Sequence, residues 1–125
     1  MIFLTREQIF VIHQATLLEQ GGSEGLRDEN GLLSALASAE NRAYYEDAGI
    51  IVSAATYAFH LIKAHAFVDG NKRVGAIAGE VFLKMNGAKL AVSNDELESV
   101  YLKVADGQIS REDLETFFFE KAEFL

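Results

Sequence analysis

The chain contains no cysteine, so neither a disulfide nor a thiolate metal site is open to it, a usage that suits a reducing compartment. It also lacks a long apolar run. No segment approaches the length of a bilayer-spanning helix, and no basic patch followed by an apolar stretch opens the N-terminus. A cytoplasmic protein with no membrane partner is the expectation. Positive charge is scarce too: nineteen Asp and Glu stand against eleven Lys and Arg, for a net charge of −8. That balance argues against direct nucleic-acid binding, which depends on neutralising phosphates with Lys and Arg. Repeats, low-complexity tracts and linkers are absent. A chain of 125 residues, half of them hydrophobic, fits a single domain spanning 1–125 with its own core.

The few cations are not spread evenly. From Lys63 to Lys89 there are Lys63, Lys72, Arg73, Lys84 and Lys89 against Asp69 and Glu80, a local +3 that leaves −11 for the remainder. A basic pocket in an acidic shell suits a small anion better than a long polyanion. Within that region lies His65-Ala66-Phe67-Val68-Asp69-Gly70-Asn71-Lys72-Arg73. Upstream of it Ile51, Ala55, Ala58, Ile62 and His65 recur at steps of three and four, which places His65 at the end of a helical face. Downstream, Val74, Ile77, Ala78, Val81, Phe82 and Met85 make an unbroken buried stripe, so a second helix starts near Asn71. The stretch is a loop that opens a helix.

A helix start leaves backbone N–H groups without intrahelical partners and carries a partial positive charge, which attracts phosphate. Gly70 lets the backbone turn sharply and lets an anion approach the amides. Lys72 and Arg73 stand in the first turn, where the helix dipole disfavours a cation, and an anionic partner would account for them. Asp69 can cap the helix, or it can hold Mg²⁺ against phosphates with a hard oxygen. His65 is the group nearby that can take a proton from a hydroxyl near neutral pH. Phe67 and Val68 are expected in the core. These residues read as a phosphate clamp beside a general base.

Elsewhere the signals are structural. Thr5 to Gln8 has the form of a capping box, for a helix running to about Glu19 and ending at Gly21-Gly22. His13 shares a face of it with Phe10 and Leu17 and is expected to be packed or half-exposed. Asp28 or Asn30 can cap a second helix through Leu32, Leu33, Leu36 and Ala37. The polar stretch Glu40–Gly49, with Tyr44 and Tyr45, shows no stripe and is read as a loop or short hairpin. His60 falls among apolar neighbours and is expected to be structural. Gly75 and Gly79, four apart, allow a close helix approach. Ser93 to Glu96 and Ser110 to Asp113 open two more helices. Phe117, Phe118, Phe119, Phe124 and Leu125 exceed what one helical face buries, and part of them is expected at a partner surface.

The motif closely resembles the signature of the Fic/Doc family, H-x-F-x-[DN]-x-N-K-R in its death-on-curing (Doc) branch and H-P-F-x-[DE]-G-N-G-R in its Fic branch. Gly22 to Asp28, followed by Leu32-Leu33-Ser34-Ala35-Leu36, resembles the family's N-terminal region. Two departures touch no proposed chemistry. Ala66 replaces the proline of many relatives, and Val74-Gly75 stands where Thr-Ala is frequent, a helix-interior glycine costing about 1 kcal/mol.

The resemblance implies an all-α bundle of about six helices, with a hairpin flap at which Tyr44 and Tyr45 could meet a target. It implies that His65 deprotonates a Ser or Thr hydroxyl of a target protein. Asp69 would hold Mg²⁺, Gly70, Asn71, Lys72 and Arg73 would bind the phosphates of ATP, and Phe67 would anchor the loop. Relatives that transfer AMP have glycine where this chain has Lys72 and an arginine where it has Ala76. Transfer of the terminal phosphate is therefore favoured over AMP transfer, and a catalytically idle interaction module is the reading of another class. The resemblance further implies a toxin acting on elongation factor Tu, blocking translation. Many relatives restrain themselves with a helix of pattern [ST]-x-x-x-E-[GN], and Thr116 to Glu120 fails it at Lys121. Control is then expected from a Phd-like antitoxin whose helix fills an apolar groove.

Overall fold

The computed structural model describes residues 1–125. Its helices are α1 (Arg6–Gln20), α2 (Glu29–Glu46), α3 (Ile50–Ala64), α4 (Asn71–Met85), α5 (Asn94–Ala105) and α6 (Arg111–Lys121). Two short strands, β1 (Ala88–Leu90) and β2 (Ala122–Phe124), complete an all-α architecture. Helix starts follow local chemistry: Thr5 accepts from Gln8 N–H, Asp28 from Gly31, Ser93 from Glu96 and Ser110 from Asp113. Thr5 and Ser110 form full capping boxes, whereas Ser93 makes only its own half.

The core is organised around α3. Seven consecutive residues from Ser53 to Phe59 are apolar or small apart from Thr56, and Ser53 through Ala58 are all buried, as expected of a helix covered on every side. Helix α4 lies closest against it because Gly75 and Gly79 have no side chain. A Cβ on Gly75 would fall 2.6 Å from Ile62 Cγ1 and 2.8 Å from the Ala58 carbonyl oxygen, and one on Gly79 3.1 Å from the Ala54 oxygen. Helices α2, α5 and α6 cover the other sides of α3, and α1 packs on α4. No helix is long and apolar enough to cross a membrane.

Two expectations are overturned. Val68, expected in the core, is exposed beside the turn that follows α3. Glu40–Gly49 is no hairpin: α2 continues to Glu46 and ends at Asp47 with φ 54°. The buried positions Leu32, Ala35, Leu36 and Ala39 keep helical step, and the next place in that series is taken by Arg42, half-buried. Its guanidinium donates to Thr56 Oγ1 at 2.9 Å and pairs with Glu115 of α6. A cation thus fills a slot in which an apolar residue would have made the stripe visible. The strands that do exist lie elsewhere, β1 pairing antiparallel with β2 in the register Ala88 to Phe124, Lys89 to Glu123 and Leu90 to Ala122. Of the C-terminal aromatics, Phe118 is buried and Phe117 partly so, while Phe119, Phe124 and Leu125 are exposed.

Candidate functional site

The turn between α3 and α4 is held from beneath and from one side, and left open above. His65 ends α3 in the left-handed region (φ 48°, ψ 42°) with its side chain exposed, an uncommon conformation for a residue with a Cβ. The backbone next to it is tied to the segment before α2: Arg27 and Asp28 N–H donate to the Ala66 carbonyl at 2.7 and 3.0 Å, and Val68 N–H to Gly25 at 3.0 Å. Leu26 and Phe67 form an isolated antiparallel bridge. Phe67 is buried, edge-on to Phe10 at 5.6 Å and stacked on the His13 ring at 3.9 Å.

Asn71 clamps this loop. Its Oδ1 accepts from Phe67 N–H and its Nδ2 donates to the Phe67 carbonyl, both at 2.9 Å. Its amide group is thus engaged with the loop backbone, and the part of Asn71 left for an anion is its backbone N–H at the helix start. That start has no side-chain cap, in contrast to the Thr, Asp and Ser caps of α1, α2, α5 and α6, so first-turn amides stay available to an anion. Gly70 forms the turn at φ 85°, ψ 11°, where a side chain would be strained. Asp69 is exposed, its Oδ1 accepting from Gly70 N–H at 3.1 Å and its Oδ2 from Ser23 N–H at 3.2 Å.

Above the turn is a cavity of about 350 Å³. His65, Asp69, Gly70, Asn71, Lys72 and Arg73 line it together with Gln20 from α1, over apolar walls from Ile62, Val68 and Ala105. Both cations have a shared partner on α5: Glu98 lies 3.3 Å from Lys72 Nζ and 3.3 Å from Arg73 Nη2. With its amide oxygen turned inward, Gln20 also accepts from Arg73 Nε at 3.1 Å and Nη2 at 2.6 Å. On the far side of Arg73 a second hollow of about 340 Å³ holds Glu80, Asn94, Glu98 and Tyr101. Burial pushes the Glu80 carboxyl above its ordinary value against the opposing effect of the Tyr101 hydroxyl, which donates to it at 3.3 Å. Burial, and then the Glu80 charge, raise Tyr101 far above the usual phenol.

Tyr44 and Tyr45 are not at this site. They occupy the last turns of α2, edge-to-face at 4.8 Å and exposed, beside a larger and shallower hollow of about 710 Å³ that also touches Phe3 and Glu40. Asp28, where α2 begins, touches the motif backbone, so sixteen residues of helix at about 1.5 Å each separate them from His65's loop by roughly 24 Å. The larger hollow gathers neither a histidine nor a cation, whereas the smaller one brings both together. The segment that does border the motif is Gly22–Arg27. His60 is structural: burial, then the charges of Arg111 and Arg42, hold its imidazole below the ordinary value, and Arg111 lies 3.3 Å from its Nε2. No group of three His, Asp or Glu side chains stands ready to enclose a metal. Asp69 is a single carboxylate at the cavity edge, a donor set suited to Mg²⁺ that arrives with phosphate oxygens of its own.

The residues that reasoning from sequence missed are Glu98, Gln20 and Ser23, and the tie between His13 and Asp69. Only His13 carried a signal, its position on the face of α1 that includes Phe10.

Comparisons with known proteins give three similarities. A family model described as the Fic/DOC family matches residues 3–83. The chain is 27% identical over 111 residues to the Protein kinase doc of Escherichia phage P1, covering 88% of this chain and 87% of that protein. It is 35% identical over 95 residues to the Toxin Doc of Mycolicibacterium smegmatis, covering 74% and 71% respectively.

Proposed function

The chain belongs to the Fic/DOC family, and on that premise we propose that it is the toxin of a toxin–antitoxin pair, transferring the terminal phosphate of ATP to a Ser or Thr hydroxyl of a target protein. The observation that carries the reading is the convergence of His65, Asp69, Gly70, Lys72 and Arg73 on one cavity over an uncapped helix start.

His65 accepts the hydroxyl proton as the oxygen attacks the terminal phosphorus. The bond from that phosphorus to the bridging oxygen breaks, and ADP leaves. Such a reaction passes through a loose transition state with charge spread over the phosphoryl oxygens, so catalysis is mainly positioning and charge stabilisation. Lys72, Arg73 and the backbone amides from Gly70 through Asn71 supply that stabilisation. Asp69 would hold Mg²⁺, which neutralises phosphate charge when bound. Phe67, fixed by Asn71, Phe10 and His13, keeps the turn rigid.

Three features favour phosphate over AMP transfer. Lys72 supplies a long cation where AMP-transferring relatives have glycine, Ala76 is buried and leaves the second-arginine place without charge, and one relative is named a protein kinase. We assign the target as elongation factor Tu, with arrest of translation in the cytoplasm, and the partner as a Phd-like antitoxin. The test is incubation of the protein and its target with ATP labelled separately at the α and γ positions. Label from γ on the target is expected, and label from α would replace the reading with AMP transfer.

A further inference from the structure

His13 sits beneath the phosphate turn in a way that its place on α1 does not require. It is 2% exposed, and its ring lies parallel to that of Phe67, the planes 15° apart. A Cβ built on Gly70 would lie 3.7 Å from His13 Cδ2, so the imidazole is directly below the glycine turn. Its Nε2 is 2.9 Å from the backbone oxygen of Asp69. A carbonyl only accepts, so Nε2 carries the proton.

The consequence concerns the peptide between Asp69 and Gly70. It is trans, and in a trans peptide the carbonyl and the N–H point in opposite directions. With the Asp69 carbonyl drawn down to His13, the Gly70 N–H is turned to the outer side of the loop, where Asp69 Oδ1 meets it at 3.1 Å. Glycine tolerates either orientation of this peptide at small steric cost, so the turn itself does not select the one that serves an anion. The ring does.

We propose that His13 is a positioning residue of the anion site: by holding the Asp69 carbonyl inward it keeps the Gly70 N–H on the outer side of the loop, where Asp69 Oδ1 holds it until a phosphate oxygen takes that place. The inference rests on the reading above, that phosphates bind at this turn.

Two substitutions separate the hydrogen bond from the stacking. His13→Phe keeps a ring against Phe67 and removes the donor. His13→Gln places an amide N–H near the position of Nε2. In the ligand-free wild type, ¹⁵N spectroscopy of the imidazole is expected to show a proton on Nε2, and a ring protonated on Nδ1 alone would overturn the proposal even if no variant folds. In a crystal structure of His13→Phe the Asp69–Gly70 peptide is expected to have rotated, and one that keeps its wild-type orientation defeats the idea whether or not nucleotide binds. With MgATP as ligand, His13→Phe should raise the KM for ATP about ten- to a hundredfold, the weight of one hydrogen bond to a charged group, with kcat changed far less. His13→Gln should recover most of that loss, and equal impairment of the two variants would reduce His13 to packing. Wild-type protein that binds neither MgATP nor pyrophosphate would sink the functional reading, while the ring proton and the peptide orientation still decide what His13 does.

Discussion

Glu98 reaches from α5 to Arg73 on the first turn of α4, its Oε1 3.3 Å from Nη2, while its other oxygen takes Lys72 Nζ at the same distance. One carboxylate therefore rests on both cations that a polyphosphate would use. Binding of an anion at the turn has to displace it or share them with it.

Replacing Glu98 by Gln removes that competition. The side chain is 44% exposed, so solvent screening limits the gain to the range of a surface pair, about 0.2–1 kcal/mol, or roughly a 1.5- to 5-fold tighter Kd for MgATP. Isothermal titration at low salt and at physiological salt checks this, and the effect should shrink with added salt. Weaker binding would mean that Glu98 holds the two cations in place for the ligand.

His65→Ala should remove the base and leave the clamp intact. Phosphate transfer is expected to fall by about 10²- to 10⁴-fold, with ATP affinity and melting temperature close to wild type because His65 is exposed. Loss of toxicity in cells is the parallel readout, and unaltered toxicity would favour an interaction module with no catalytic role.

Gly75→Ala sets helix propensity against packing. Alanine would favour an α-helix by about 1 kcal/mol, but the added Cβ would fall 2.8 Å from the Ala58 backbone oxygen, which has no rotamer with which to yield. Overpacking of this kind costs about 1–3 kcal/mol, so urea denaturation should show net destabilisation. An increase in stability would mean that α3 and α4 can separate freely.

The pH dependence of stability carries a histidine signature. His60 is held below its ordinary value, first by burial and then by Arg111 and Arg42. The unfolded chain therefore binds a proton more readily than the folded one in the window just below the ordinary histidine value of about 6.5. Stability supplied by the neutral ring is present above that value and is lost as pH falls through the depressed folded one. Glu80, raised chiefly by burial, acts in the opposite sense, its contribution being lost as pH rises through its folded value. Melting curves from pH 7.5 to 5 for wild type and His60→Gln isolate the first effect. The variant should lose less stability on acidification, and parallel curves would show that His60 titrates alike in both states.

Much of this protein could be read along the chain because the signals involved are short-ranged. The caps at Thr5, Asp28, Ser93 and Ser110 are bonds to groups three residues on, the stripe from Val74 to Met85 repeats within one helix, and the whole turn from His65 to Arg73 is contiguous. The sequence by itself therefore determined the helices, the place where α3 yields to α4, and the chemical groups at that point. It misled at Arg42, where a charged side chain interrupts an apolar series and its partner Glu115 stands 73 positions away.

The tertiary structure alone decided which groups serve each other across such gaps. His13 meets Asp69 over 56 positions and Glu98 meets Lys72 over 26, and no local periodicity encodes either pairing. Both exist because the packing of α3 against α4 at Gly75, and of α1 and α5 onto that pair, brings distant side chains within hydrogen-bond reach. Hydrogen bonds and ion pairs act over a few ångströms, so only the folded arrangement could determine how the turn's amide is aimed and what already occupies its cations.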